Sequence, residues 1–286
     1  MSEWVFASDP GRVVEGRRQA DAMPVHAYRP PDLRDVVAVV TGASRGAGRA
    51  IAFALGEGGA TVYATGRSTG DGGATEDLPG TVEETAEEVT SRGGRGGGVR
   101  VDHTVDADVE ALFRRVRAEE GRLDVLVGNA WGGYEGYGAF DAPFWEQPLA
   151  RWERMYGAGV RAHLVAARLA APLLMSGREG RRPGLIVATV AWAFGAYLGN
   201  VIYDSAKAAV VRMAFGMARD LRAHRVASVA LAPGFMSTER VLAHVAGRPE
   251  EPRPTETPAY AGRAVAALAA DPRVLERSGR VLAVGD

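Results

Sequence analysis

The chain has 286 residues, 47% of them hydrophobic, and 34 lysines and arginines balance 35 aspartates and glutamates; it can bury a full core, and near-neutrality excludes a basic field that would recruit nucleic acid or an anionic membrane. The absence of cysteine excludes disulfides, thiol catalysis and thiolate metal sites, and His26, His103, His163, His224 and His244 show no ligand spacing, so no metal is expected. No uninterrupted apolar run is long enough to span a bilayer and no basic-then-apolar signal pattern opens the chain, which predicts a soluble cytoplasmic protein without a membrane partner.

Residues 1–34 carry Pro10, Pro24, Pro30 and Pro31 without periodicity and read as an N-terminal arm, leaving 35–286 as one domain. Val36 to Val40 is a continuous apolar run, as in a parallel strand covered on both faces. It runs into Thr41-Gly42-Ala43-Ser44-Arg45-Gly46-Ala47-Gly48. Gly42 would permit the tight turn, Gly46 the approach of a pyrophosphate to the backbone, and Gly48 the packing of helix on strand; phosphates would sit at the positive end of that helix.

Ala47, Ile51, Ala54 and Leu55 keep helical spacing up to Gly58-Gly59, and Thr61 to Thr65 follows as a second strand ending at Gly66-Arg67-Ser68. The glycine-rich segment after it reads as a loop at one end of the cleft. Val82, Ala86 and Val89 mark the next helix, closed by Gly93 to Gly98, and Val99 to Val101 reads as a third strand delivering Asp102 and His103. A helix through Val109, Leu112, Phe113 and Val116 and a strand Leu123 to Val127 complete four alternations, the pattern of a parallel sheet with right-handed crossovers.

Trp131 to Pro148 is aromatic, glycine-rich and aperiodic, and reads as a loop flanking a cleft. A long helix is expected over Leu149 to Met175, a fifth strand over Leu185 to Thr189, a helix over Tyr203 to Arg222 and a sixth strand over Val226 to Leu231. A flap near 236–258, a helix from Ala259 to Ala270 and a strand from Val281 to Val284 close the chain. The fold class is α/β, a single doubly wound parallel sheet of about seven strands with helices on both faces.

Tyr203 and Lys207 stand four residues apart, on one helical face. An ammonium beside a phenol favours phenolate, so the pair predicts a lowered tyrosine pKa and proton transfer near neutral pH. The T-G-x-x-x-G-x-G turn, Asn129-Ala130 after the fourth strand, this Y-x-x-x-K pair and Pro233-Gly234 followed by Thr238 resemble, in that order, the motifs of the short-chain dehydrogenase/reductase family, over Val36 to Gly285. The resemblance implies a Rossmann-type fold and an enzyme that moves hydride between a nicotinamide cofactor and a small substrate, as a homodimer or homotetramer paired through the two long helices.

It further implies Tyr203 as acid/base, Lys207 as its modifier and a ribose ligand, and Asn129 as support for cofactor and sheet. Gly42, Ser44, Arg45, Gly46, Gly48, Asp102, His103, Pro233, Gly234 and Thr238 would line the cofactor, Asp102 meeting the adenine. Arg67, with Ser68 and Arg45, stands where the family places acids for NAD, and a guanidinium fork suits the extra phosphate of NADP, so NADP(H) is the expected cofactor.

Two positions depart from the family pattern. The serine expected twelve residues before Tyr203 is Ala191, with Thr189 upstream, and the asparagine of the long helix falls on Gly159, which can adopt the same helix distortion. Tyr134, Tyr137, Asp141, Tyr156 and Tyr197 are possible replacements for the lost hydroxyl. Trp131, Trp192, Phe194 and Tyr197 suggest a largely apolar substrate. The reading is therefore an NADP(H)-dependent oxidoreductase acting on a carbonyl, alcohol or related compound. Its rival is a cofactor-binding scaffold or non-redox cyclase or isomerase, which Ala191 favours and Tyr203 with Lys207 opposes.

Overall fold

The computed structural model describes residues 28–73, 75, 78–134, 139–192, 197–246 and 256–284. Seven strands form one parallel sheet, β1 (Val37–Thr41), β2 (Thr61–Gly66), β3 (Arg95–Arg100), β4 (Val125–Gly128), β5 (Gly184–Thr189), β6 (Val226–Ala232) and β7 (Val281–Ala283), in the order β3-β2-β1-β4-β5-β6-β7. The order reverses between β1 and β4, which pair as Ala38 with Val125 through Val40 with Val127. The carboxyl ends of these strands open on a crevice at that switch point, where open α/β sheets bind ligands.

Helices α1 (Gly46–Glu57), α2 (Val82–Ser91) and α8 (Pro258–Ala270) lie on one face, α3 (Asp106–Glu120), α5 (Ala162–Met175) and α6 (Val201–Leu221) on the other. Strand residues alternate between the two cores, Ala38 and Val40 joining Ile51, Leu55 and Val265, and Val37 and Val39 joining Val109, Leu112 and Leu173. Leu33, assigned to the arm from sequence, is fully buried in the first core, and its amide donates to the Gly58 carbonyl at 2.7 Å. The domain thus takes in the last residues of that segment; residues 1–27 lie outside the described residues.

Strand β3 runs from Arg95 to Arg100, earlier than the expected Val99 to Val101, and takes in the three glycines read as a helix stop. The reason is packing: a Cβ on Gly98 would lie 2.9 Å from the Val82 carbonyl oxygen, and one on Gly96 would overlap that of Ala86. The backbone of α2 rests directly on the strand, and only glycine allows that approach.

The expected long helix is one continuous stretch in three parts, α4 (Leu149–Tyr156), a π-helical turn at Gly157–Arg161 and then α5. The helix distortion anticipated at Gly159 is this π-turn. Among the described residues, Leu149–Met175 is the one helical stretch apolar and long enough to cross a membrane by composition, although no uninterrupted apolar run is evident in its sequence, and α5 packs on α3, β4 and β5. The described part of the segment expected to be a flap contains a short helix, α7 (Glu239–Val245), capped by Thr238, whose hydroxyl accepts from the Val241 amide at 3.3 Å; residues 247–255 lie outside the described residues.

Candidate active site

The crevice has a volume of about 410 Å³ and is bordered by the glycine turn, the ends of β4 and β5, the start of α6 and the segment after β6. Gly42 and Gly46 take φ of +64° and +57°, conformations that suit glycine, and a Cβ on Gly48 would lie 2.5 Å from Asn129 Nδ2. Gly42 thus makes the tight turn, and Gly48 allows the start of α1 to pack directly on that turn, where a Cβ would overlap the Gly42 carbonyl oxygen. Asn129 Nδ2 donates to the carbonyls of Thr41 (3.1 Å) and Gly42 (3.0 Å), while its Oδ1 accepts from the Thr189 hydroxyl at 3.1 Å. One side chain therefore pins the turn to β1 and β5.

The Gly46 amide, at the positive end of α1, donates to Glu239 Oε2 at 2.9 Å. A carboxylate 193 residues away has settled on the backbone donor that the turn offers to an anion. The glycine cradle and this helix end are the donor set that the diphosphate of a dinucleotide would need, and Glu239 stands on it. Glu239 was not singled out from sequence, and its position directly after Thr238 is the one local signal that it faces the turn.

At the other end, Arg45 donates to the Ser68 hydroxyl (2.8 Å), the Thr75 hydroxyl (3.1 Å) and the carbonyls of Leu78 (3.0 Å) and Pro79 (3.1 Å). It stitches the loop after β2 to the glycine turn. Burial lowers its pKa; the Glu239 charge opposes this and the nearby Arg67 charge adds to it. Arg45, Arg67 and Ser68 thus converge at the end of β2, with Arg45 and Arg67 lining the crevice.

Asp102 Oδ1 accepts from the Thr104 amide (2.9 Å) and hydroxyl (2.6 Å). Burial works against its charge, but those bonds and the charges of Arg67 and Arg154 outweigh it and hold the carboxyl below its usual range. The strand-end turn and the cleft wall are served by the same residue. His103 turns its ring inward, its Nε2 sharing a hydrogen bond with the Thr65 hydroxyl at 2.8 Å. Ser44, Pro233, Gly234 and Thr238 also border the crevice, Gly234 at a φ of +78°.

Tyr203 opens α6 three residues after Asn200, whose side chain caps the helix by accepting from the Tyr203 amide at 2.9 Å. Its ring sits in an aromatic cage, edge-on to Trp131 (5.3 Å between centroids) and Phe140 (5.4 Å) and tilted to Tyr134 (6.1 Å). The expected lowering of its pKa is reversed: burial raises it, and a hydrogen bond from Tyr134 only partly opposes the rise. Lys207 does not supply the compensating charge. Its Nζ lies 5.5 Å from the Tyr203 centroid but 3.4 Å from that of Trp131, and burial brings its own pKa down to about 7.

Trp131, read from sequence only as a departure and a substrate-facing aromatic, is thus the platform of Lys207. Thr189 commits its hydroxyl to Asn129, and Tyr156 donates to the Ser205 hydroxyl at 3.2 Å. Tyr197 is 62% exposed and Ala191 borders the crevice without a hydroxyl. Trp192 is described and half-buried, whereas Tyr137 and Phe194 lie outside the described residues. Among the described residues no cluster of three or more histidines, aspartates or glutamates could hold a metal ion.

The family pattern described as short chain dehydrogenase matches residues 36–247. Dehydrogenase/reductase SDR family member 1 of Mus musculus is 38% identical over 263 residues, covering 87% of this chain and 80% of that protein. A hydroxysteroid dehydrogenase from Escherichia coli superposes with a TM-score of 0.71 at 26% identity, covering 88% of this chain and 96% of that one. A 7α-hydroxysteroid dehydrogenase solved with NADH and 7-oxo glycochenodeoxycholic acid shares the fold, with a TM-score of 0.70 at 24% identity over 88% of this chain and 93% of that one.

Proposed function

The chain belongs to the short-chain dehydrogenase family, and from that premise we propose that it is an NADP(H)-dependent oxidoreductase acting on a carbonyl or alcohol group of a small, largely apolar substrate. The observation that carries this reading is the pair of half-buried Tyr203 and buried Lys207 in one crevice with the glycine turn. The turn and the amide end of α1 would hold the diphosphate, Asp102 the adenine, Lys207 the nicotinamide ribose, and Asn129 would brace both. When bound, the nicotinamide supplies or removes a hydrogen with its electron pair at the substrate carbon. Tyr203 gives or takes the proton at the substrate oxygen, and the aromatic cage excludes water from it.

The preference for NADP(H) rests on Arg67 and Arg45, which line the crevice at the end of β2 with Ser68 holding Arg45 in place, because two guanidinium charges suit a phosphate monoester. Carbonyl reduction followed by NADPH oxidation, with binding of NADPH and NADH measured beside it, tests both parts. Equal affinity for the two cofactors would overturn the preference. The enzyme is proposed to be cytoplasmic and to pair as a dimer or tetramer through the helices around Leu149–Met175 and α6, which light scattering at micromolar concentration would check.

Ala191 favours a second reading, a cofactor-binding scaffold or a non-redox cyclase or isomerase. Tyr203→Phe separates the two, because a redox reaction needs that proton and a scaffold does not. Native turnover that survives the substitution while NADPH still binds would overturn the reductase reading.

A further inference from the structure

We infer that Tyr134 donates a second hydrogen bond to the reacting oxygen of the substrate, beside Tyr203, at the place where Ala191 offers none; this rests on the carbonyl-reductase reading above. Tyr134 and Tyr203 tilt toward each other at 41° with centroids 6.1 Å apart, and their hydroxyls share a hydrogen bond. An oxygen atom entering at that meeting point takes over the bond that Tyr134 gives to Tyr203 and so meets two O–H donors. Neighbouring rings hold Tyr134 in place, Trp131 at 6.2 Å and Phe140 at 6.0 Å.

Among the described residues, the other hydroxyls named as replacements are spent or remote. Thr189 donates to Asn129, Tyr156 donates to Ser205, and Tyr197 is exposed. Arg240 adds strength, because its guanidinium carbon lies 5.0 Å from the Tyr134 centroid. A cation over the ring withdraws charge from the phenol and makes its O–H a better donor.

The division of labour balances. As the carbonyl carbon gains a hydrogen with its electron pair, the C=O π pair moves to oxygen and takes the Tyr203 proton, leaving a phenolate that solvent reprotonates. Tyr134 stabilises the charge gathering on oxygen and keeps its own proton throughout.

The test is Tyr134→Phe in the full chain, with three readouts: NADPH affinity, NADPH-dependent reduction of a panel of cyclic and aromatic ketones, and ultraviolet titration of tyrosinate in the ligand-free protein. The expected result is a fall in kcat of about tenfold to a thousandfold, unchanged NADPH affinity and ionisation of Tyr203 at higher pH. Adding Ala191→Ser to Tyr134→Phe is expected to recover part of the rate. Wild-type turnover that Tyr134→Phe leaves unchanged overturns the inference alone. Failure of the wild type to reduce any ketone while binding NADPH overturns the reductase reading and the inference with it. If Tyr134→Phe does not fold, 3-fluorotyrosine at position 134 gives a more acidic phenol of nearly the same shape; kcat is expected to rise, and an unchanged kcat overturns the inference.

Discussion

The indole of Trp131 occupies the space that a side chain at Gly159 would need: a Cβ there would overlap Cζ3 and Cε3 of the ring and lie 3.1 Å from Cη2. The opposite consequence of the same placement is that Lys207 Nζ rests 3.4 Å from the centroid of that ring. The π-turn, the missing side chain at Gly159 and the lysine platform form one unit. Gly159→Ala is therefore expected to push the indole off its seat, with an overpacking cost of about 1–3 kcal/mol and a fall in turnover. Trp131→Gly in the same chain would relieve the clash but leave Lys207 without its platform. A double-mutant cycle on thermal stability should show coupling between the two positions, and strict additivity would contradict the unit.

Arg67→Ala is expected to weaken NADPH binding by about tenfold or more while leaving NADH nearly unchanged, as removal of one charge-assisted phosphate contact should. Arg45→Ala differs because Arg45 also holds the loop after β2 through Ser68, Thr75 and three carbonyls. Its loss should weaken both cofactors and expose Thr75 to Gly80 to proteolysis. Calorimetric titration of the two variants with both cofactors checks the contrast; equal losses for NADPH and NADH in Arg67→Ala would remove Arg67 from the phosphate site.

The parts that sequence spacing made legible are those whose partners are local. The glycine turn, the pair Tyr203 and Lys207 and the alternation of strand and helix all obey short periods. The glycines of β3 misled because their reason lies in another element, the backbone of α2 pressed against Gly96 and Gly98. The pKa of Tyr203 was misjudged for a related reason. Spacing brings Lys207 to the same helix face, but the platform of Trp131 draws its ammonium away, and burial then dominates. Glu239 reaches Gly46 across 193 residues, a relationship no local pattern encodes.

That contact carries its own expectation. Glu239 holds with its carboxylate the amide that a diphosphate would use, so cofactor and carboxylate compete for one donor. Glu239→Gln removes the charge and keeps the size. A charge at a helix N-terminus is worth about 0.3–1 kcal/mol, so NADPH and NADH should both bind about twofold to fivefold more tightly. Weaker binding of both would show instead that Glu239 supports the bound state.

Two buried histidines set the response of the fold to acid. Burial holds His163 down to about 3, with the charge of Lys207 adding to the effect, and its Nε2 lies 3.2 Å from the Ala130 carbonyl oxygen. Burial likewise brings His103 to about 4, against the opposing charges of Asp102 and Asp108. In the unfolded chain both would take up a proton near pH 6.5, whereas the folded chain refuses it until about pH 4 and about pH 3. Below pH 6.5 the unfolded state therefore binds more protons, and stability falls with falling pH, by about 1.4 kcal/mol per unit for each histidine once it is fully protonated in the unfolded chain. Between pH 6.5 and 5 few carboxylates titrate, so the histidines should dominate the slope. His163→Gln keeps an uncharged donor for the Ala130 carbonyl but cannot ionise, and urea unfolding of the ligand-free protein across that window should show the slope reduced by about half. An unchanged slope would mean that His163 already takes up its proton in the folded protein.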